Sequence, residues 1–130
     1  MTAKDFRELR VYQLAFETAF QVYQVTKTFP ADERYSMTDQ VRRSSRSVCT
    51  NIAEAWRKRR YPNNFVSKLS DADTEAGETV VWLDIALRLG FVSTATHNTL
   101  ADHYDHICRQ LNIMMDDPEK WIPKNSRRRT

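Results

Sequence analysis

Residues that interrupt regular structure are scarce in this chain of 130 residues, which contains two glycines and four prolines. We find no segment with the apolar and polar alternation, bounded by turn dipeptides, that is typical of β-strands. So few helix breakers exclude a loop-rich fold and favour long helices joined by short connections. A chain of this length suits one domain with its own hydrophobic core.

Cysteine is also rare, because Cys49 and Cys108 stand alone and each lies within a helical pattern. They lack the spacing of a metal site, so both are predicted to be reduced, packed thiols rather than a disulfide. The first ten residues lack the apolar core of a signal peptide, and no apolar run approaches the length of a membrane span. We therefore expect a cytoplasmic protein that does not contact a membrane.

Residue patterns for catalysis and for metal or cofactor binding are missing as well. A carboxylate-bridged metal site in a helical bundle needs Glu three residues before His, and none of the three histidines is preceded in this way. Neither glycine has a second glycine nearby, which excludes a glycine-rich phosphate loop. The sequence gives no sign that a cysteine meets a histidine as a nucleophile and base would. We expect no enzyme activity, no cofactor and no metal ion.

What the chain does contain is a segment with two contrasting faces, Met37 to Arg60. Apolar and small residues recur there at steps of three and four, which predicts the core-facing side of a helix. These residues are Met37, Val41, Ser44, Ser45, Val48, Ile52, Ala55 and Trp56. The small hydroxyl residues in its middle indicate close helix contact and hydrogen bonds that need partners. The arginines fall mostly on the opposite side, at about 100° per residue.

The first predicted helix, residues 7–28, carries apolar residues on two sides. One stripe, which we assign to the core, consists of Leu9, Tyr12, Phe16, Ala19, Phe20 and Tyr23. The nearly opposite stripe consists of Val11, Leu14, Ala15, Val22 and Val25. A helix in a single bundle needs one apolar stripe, so the second stripe is predicted to contact another subunit. The alternative is that this helix lies deep and is covered by loops.

Two further helices show the alternating steps of four and three that form a bundle seam. The third helix has Phe65, Leu69, Ala72, Ala76, Thr79, Leu83 and Ala86, and the fourth has Leu100, Tyr104, Ile107, Leu111 and Met114. The second helix is predicted to begin at a Ser36–Asp39 capping box, and the third to begin at Asn63 as its N-cap and to end before Gly90 as its C′ residue. The fourth helix is predicted to begin at Ser93 or Thr94 and to end at Pro118. Trp121 and Ile122 are predicted to fold back onto the bundle.

These four helices predict an all-α protein, an up-down-up-down four-helix bundle over residues 1–122. Residues 123–130 form a basic tail that is predicted to be disordered. Charge is unevenly distributed over this plan. Residues 42–60 hold seven basic residues against Glu54 alone, whereas residues 71–117 hold nine acidic and two basic residues.

The segment from Gln40 to Arg59 resembles the signature of the four helix bundle protein family, also called the 23S rRNA intervening-sequence proteins. The family pattern is Q-x-R-R-x-x-x-S followed by S/T-N-I-A-E-G. The matching positions are Gln40, Arg42, Arg43 and Ser47, then Thr50, Asn51, Ile52, Ala53 and Glu54. Ala55 departs, because the family usually has glycine there. The resemblance continues in EAGETVVWL, in the Leu-Gly-aromatic step at 89–91 and in MMDDPEKW, and so covers nearly the whole chain.

The resemblance implies a bacterial protein, since some members are encoded inside inserts in bacterial 23S rRNA genes, and a four-helix bundle that assembles as a ring-like homopentamer. It also implies similarity to the accessory protein of diversity-generating retroelements, which works with nucleic acid. It implies no enzymatic activity.

Two functional interpretations follow and both stay open at this point. In the first, an oligomeric, non-enzymatic protein binds RNA or DNA electrostatically, since guanidinium groups grip phosphate well. The candidate residues are Arg42, Arg43, Arg46, Arg57, Arg60, Arg127, Arg128 and Arg129. In the second, the protein is an assembly or protein-docking scaffold, and its arginines pair with Asp71, Glu75 and Glu78 across an interface. Glu54 is expected to pair within its own helix or with a neighbouring helix or subunit.

Overall fold

The computed structural model describes residues 3–124, and over this range it contains four α-helices and no strand. They are α1, Arg10–Thr26; α2, Asp39–Arg57; α3, Pro62–Arg88; and α4, Thr94–Asp116. Each helix packs on the next one in sequence and α1 also packs on α4, so α1 and α3 lie on the diagonal of the bundle. The predicted all-α four-helix bundle is confirmed.

The core seams of the last three helices are those that the sequence predicts. Every residue assigned to the core of the third and fourth helices is buried in α3 and α4. The core residues assigned to the second helix are buried too, from Met37 to Trp56, with Ile52 fully inaccessible. Deletion of such side chains leaves cavities, so these seams hold much of the stability of the bundle.

α1 presents to the core the face opposite to the predicted one. Val11, Ala15 and Val22 are 3%, 0% and 0% exposed, whereas Phe16 and Phe20 are 59% and 53% exposed. The predicted subunit interface of Val11, Leu14, Ala15, Val22 and Val25 is therefore wrong, because three of its residues are buried in the core and Leu14 and Val25 pack against it.

The reason lies in Thr18, which is buried between Ala15 and Val22. Its hydroxyl donates to the carbonyl oxygen of Leu14 at 2.7 Å, so the polar group is satisfied inside the helix. With Thr18 included, the buried positions of α1 from Val11 to Val22 run at steps of four, three and four, like the seams of α3 and α4. Lysine at Val11 or Val22 would bury a charge and unfold the bundle rather than probe an interface.

Helix ends differ from the sequence prediction at two places and agree at two others. The Ser36 hydroxyl bonds to Glu33 rather than capping a helix, because the chain passes through a π-helical turn, Arg34–Thr38, directly into α2. α3 starts at Pro62, one residue before the predicted cap. Gly90 follows α3 at φ 79°, and Ser93 Oγ accepts the backbone N–H of Thr96.

The end of the described chain folds back onto the bundle, as predicted for Trp121. Its ring stacks on that of Phe65, with 6.3 Å between the centroids. The tail residues Arg127, Arg128 and Arg129 lie outside the described residues.

Candidate functional site

The outer face of α1 carries a row of aromatic side chains, which we call the aromatic stripe: Tyr12, Phe16, Phe20 and Tyr23. The steps of four, four and three place them on one side of the helix. The rings of Tyr12 and Phe16 lie 5.9 Å apart, so the stripe is continuous at that end. A monomer that exposes two phenylalanines side by side leaves a large apolar surface in water, which typically marks an interaction site.

A groove of about 500 Å³ runs between the aromatic stripe and α2. Arg46, Cys49 and Thr50 form its α2 side. The groove therefore combines an apolar wall with one cationic and one hydroxyl side chain, a composition that suits either a protein partner or the bases and phosphates of a nucleic acid.

Arg42 is fixed at one end of the stripe. Its Nε donates to Thr26 Oγ1 at 2.8 Å, and its guanidinium carbon lies 4.6 Å from the centroid of the Tyr23 ring. The ring and the hydroxyl hold Arg42 against α1, so it connects α1 to α2.

Arg43 is held by carboxylates of α3 in the same chain. Its Nη1 lies 3.2 Å from Glu75 and its Nη2 lies 2.5 Å from Glu78. The predicted pairing of arginines with the acidic stripe thus occurs within one bundle for Arg43. Asp71 forms no ion pair with an arginine of residues 3–124.

The remaining candidate arginines of α2 and the turn after it are Arg46, Arg57 and Arg60. All three are exposed, and none forms an ion pair with a carboxylate within the described part of the chain. Arg46 and Arg57 are eleven residues apart, which at about 100° per residue places them on the same side of the helix. The charge of Arg57 contributes to lowering the pKa of Asp5, after the larger effect of Arg7, without forming an ion pair with it. All three guanidinium groups are therefore exposed to an external partner.

Glu54 pairs with a neighbouring helix rather than with its own. Its carboxylate lies 2.8 Å from Lys68 Nζ of α3. Because Glu54 is half exposed, the contribution of such a pair to stability is about 1 kcal/mol or less. This contact gives Glu54 a structural role between α2 and α3.

The titratable groups in the core are poorly suited to catalysis. Burial raises the pKa of Cys49 to about 11, and burial together with a hydrogen bond that the Cys108 thiol donates to Asp73 raises the pKa of Cys108 to about 12. Both are free thiols. A thiol with a raised pKa carries little thiolate at neutral pH and is a weak nucleophile. Burial also raises the pKa of Tyr104.

Within residues 3–124, no three His, Cys, Asp or Glu side chains cluster closely enough to hold a metal ion. No helix in that range is both long and apolar enough to cross a membrane.

Reasoning from the sequence missed the aromatic stripe as a surface. The sequence pattern assigns its four aromatic residues to the core, because large aromatic side chains are usually buried there. The signal that could have identified it is the second stripe of α1, which forms a regular seam once Thr18 is counted.

Comparison with known proteins bears on this architecture. The model of a family described as 23S rRNA-intervening sequence protein matches residues 7–113. The chain is also similar to the crystal structure, at 1.70 Å resolution, of a protein with unknown function from the S23 ribosomal protein family of Bacteroides thetaiotaomicron VPI-5482. That likeness has 25% sequence identity and a TM-score of 0.73, and it covers 81% of this chain and 97% of the other. No curated protein matches the chain.

Proposed function

This chain belongs to the 23S rRNA-intervening sequence protein family, and on that premise we propose that it is a non-enzymatic protein that assembles with further copies of itself through the aromatic stripe of α1. The family match over residues 7–113 confirms the resemblance of the sequence to this family. The homopentamer that this resemblance implies is the assembly we propose.

The observation that carries this proposal is the exposure of Phe16 and Phe20 on one face of α1. Full burial of a phenylalanine side chain contributes about 1.5–3 kcal/mol, so covering these half-exposed rings contributes several kcal/mol together with Tyr12 and Tyr23. Exposed aromatic side chains next to an arginine have the composition of the centre of a protein interface. The flanking Arg46 and Thr50 supply polar groups at its edge.

The test is the mass of the particle in solution, measured by light scattering. The unmodified protein is expected to give five times the chain mass of 15.3 kDa. Phe16→Gln with Phe20→Gln is expected to give single chains that keep their helical circular dichroism and unfold cooperatively, because both side chains lie outside the core. Their melting temperature is expected to be lower than that of the assembled protein, because association stabilises the folded state. Ile113→Gln is the matched control, since Ile113 is 70% exposed on α4, away from the stripe.

Two results would contradict the proposal. An unmodified protein that stays monomeric at micromolar concentration would exclude assembly. A double variant with the mass of the unmodified protein would show that copies meet elsewhere.

A second candidate function, nucleic-acid binding, is supported by Arg46, Arg57 and Arg60, which are exposed and form no ion pair with a carboxylate of residues 3–124. The aromatic stripe beside Arg46 adds rings on which unpaired bases can stack. Arg43 is a weaker candidate than the sequence indicated, because Glu75 and Glu78 already neutralise it.

This difference among the arginines gives a direct test with labelled single-stranded RNA. Arg46→Gln with Arg57→Gln should weaken binding and reduce the slope of log affinity against log salt by about 2, one for each lost phosphate contact. Arg43→Gln is the matched control and should change affinity little. If the unmodified protein binds no RNA or DNA at about 50 mM salt, where such contacts are strongest, nucleic-acid binding is excluded.

A further inference from the structure

A second apolar surface lies on the outside of α3. We call it the α3 stripe: Gly77, Val81, Ile85 and Leu89, each four residues from the next. The three apolar side chains are 54%, 37% and 52% exposed. Most of the exposed large apolar residues within 3–124 belong either to this stripe or to the aromatic stripe. The bundle therefore has two separate apolar patches.

Gly77 gives the α3 stripe a distinctive shape. Glycine in the middle of a helix costs about 1 kcal/mol relative to alanine. Nothing inside the protomer accounts for it, because an added Cβ would meet no atom within 4 Å. The missing side chain beside Val81 leaves a shallow depression in the helix surface, into which a large side chain of a partner can pack.

The two stripes lie on helices that do not pack against each other. α1 and α3 occupy the diagonal of the bundle, so the aromatic stripe of one chain cannot reach the α3 stripe of the same chain. Two different patches on opposite sides of a protomer are what a head-to-tail contact needs, whereas a two-fold contact uses one patch on both partners. At 1.5 Å per residue the stripes are about 16 and 18 Å long, so their lengths match.

Charge favours the same pairing. Over Pro62–Arg88, α3 carries five carboxylates against Lys68 and Arg88, and it stays acidic although Arg43 of α2 pairs with Glu75 and Glu78. The aromatic stripe is flanked by Arg42 and Arg46 of α2, and Lys27 lies over the ring of Tyr23. A basic edge against an acidic helix is electrostatically complementary and suppresses the contact of two like surfaces.

The two stripes differ in height along the bundle. The hydrogen bonds of Arg42 to Thr26 and of Ser44 to Thr79 place the end of α1 level with the middle of α3. The aromatic stripe lies on one side of this level, and most of the α3 stripe lies on the other. Neighbouring copies joined through these stripes are therefore tilted or staggered.

We propose that the α3 stripe receives the aromatic stripe of a second copy of this chain in a head-to-tail contact. This inference rests on the proposed self-assembly and specifies its second surface. Repetition of such a contact gives a closed ring when the rotation between copies closes and an open filament when it does not.

The test uses two variants that each lose one surface. Phe16→Gln with Phe20→Gln removes the aromatic stripe. Gly77→Lys with Val81→Lys fills the depression and places positive charge opposite Arg46, while leaving the core untouched. His106→Lys with Asn112→Lys is the control of equal added charge on the exposed side of α4.

In a head-to-tail contact each of these interface variants alone is a single chain, because every junction needs both surfaces. An equimolar mixture of the two, studied above the concentration at which the unmodified protein assembles, is expected to form particles of two chains. The intact aromatic stripe of the lysine variant then meets the intact α3 stripe of the glutamine variant. The α4 control is expected to keep the mass of the unmodified protein.

The outcomes separate the two proposals. If the lysine variant keeps the full mass while the glutamine variant is monomeric, the aromatic stripe is the interface and the α3 stripe is not its receiver. A mixture that stays monomeric overturns head-to-tail pairing in the same way. An unmodified protein that is itself monomeric overturns the proposed self-assembly instead.

Discussion

At the scale of single residues, two hydroxyl groups meet where α2 and α3 pack most closely. Ser44 Oγ and Thr79 Oγ1 are 2.7 Å apart, and both residues are fully buried. Each hydroxyl also has an acceptor in its own helix, because Thr79 Oγ1 lies 2.9 Å from the carbonyl oxygen of Glu75 and Ser44 Oγ lies 3.2 Å from that of Val41. One hydroxyl therefore donates between the helices while the other donates within its own helix. The sequence predicts that the small hydroxyl residues of the second helix need hydrogen-bond partners. For Ser44, α3 supplies that partner.

Thr79→Val keeps the shape of the side chain and removes its hydroxyl, so it is expected to lower the free energy of unfolding by about 1–2 kcal/mol. The double variant with Ser44→Ala is expected to be less unstable than the sum of the two single variants, because both single variants remove the same hydrogen bond. Urea unfolding of the four proteins in this cycle measures the difference. Strict additivity of the two single effects would exclude the bond as a stabilising contact.

A second residue pair links the end of α3 to the start of α4. His97 Nε2 lies 2.7 Å from an oxygen of Asp84, and this hydrogen bond, with a further one that His97 Nδ1 donates to Asn98 Oδ1, raises the pKa of His97. A histidine whose pKa is raised on folding adds stability below its unfolded pKa, near 6.5, and loses it as pH rises through the folded pKa.

The stability difference between the unmodified protein and Asp84→Asn is therefore expected to be larger at pH 5.5 than at pH 8.5. Because Asp84 is exposed, we expect a change of about 1 kcal/mol or less. Urea unfolding at the two pH values measures it, and the subtraction removes the contribution of other titrating groups. A difference that grows toward high pH would show that His97 is not stabilised in its charged form.

At the scale of helices, Gly77 inside α3 and Gly90 just after its end have opposite effects on stability. Gly90 has φ 79°, in the left-handed region, where a residue with a Cβ atom is destabilised by steric repulsion. The backbone N–H of Phe91 donates to Ala86 and that of Gly90 donates to Leu87, which together close α3 in a Schellman motif. Gly77, in contrast, lies in ordinary helix with open space around it.

Alanine is therefore expected to change stability in opposite directions at the two positions. Gly90→Ala should lower the free energy of unfolding by about 1–2 kcal/mol, because it forces a Cβ into the left-handed region. Gly77→Ala should raise it by about 0.5–1 kcal/mol. Thermal and urea unfolding of the Phe16→Gln, Phe20→Gln background measures both, and destabilisation by Gly77→Ala there would show that Gly77 is required inside the protomer.

The seams of α2, α3 and α4 could be predicted from the sequence, and the orientation of α1 could not. In α3 the seam contains one threonine, Thr79, between clearly apolar residues. The hydrophobic periodicity of the seam is therefore still recognisable. In α1 Thr18 occupies the centre of the seam, and the neighbouring aromatic stripe has the larger apolar side chains. Hydrophobic periodicity predicts that the stripe with the larger apolar side chains faces the core. The bundle instead buries the stripe with the smaller side chains, which allow α1 to pack closely.

The pairing of the arginines could not be predicted because it depends on which helices are neighbours. Arg43 and Arg46 are three residues apart in the second helix, and the sequence alone does not distinguish them. The packing of α2 on α3 brings Arg43 to Glu75 and Glu78, whereas Arg46 faces the groove beside α1. Such a division of one basic face requires the tertiary structure.

At the scale of the whole molecule, the basic second helix and the acidic second half of the chain partly neutralise each other inside one bundle. The contacts of Arg43 with Glu75 and Glu78 of α3 are an example. What remains on the outside is an apolar stripe beside Arg46 on one side and an apolar stripe on an acidic helix on the other. Assembly through these surfaces depends mainly on apolar burial, and nucleic-acid binding depends mainly on charge.

Salt is therefore expected to affect the two proposed activities differently. At about 1 M sodium chloride the Debye length is about 3 Å, so contacts between exposed charges are largely screened. RNA binding should be lost under these conditions, with a linear fall of log affinity against log salt. The assembly should keep its mass in light scattering, because burial of Phe16 and Phe20 is not screened, although the contribution of the complementary charges is reduced. Dissociation into single chains at high salt would instead indicate that arginine–carboxylate pairs between copies, rather than the aromatic stripe, hold the assembly together.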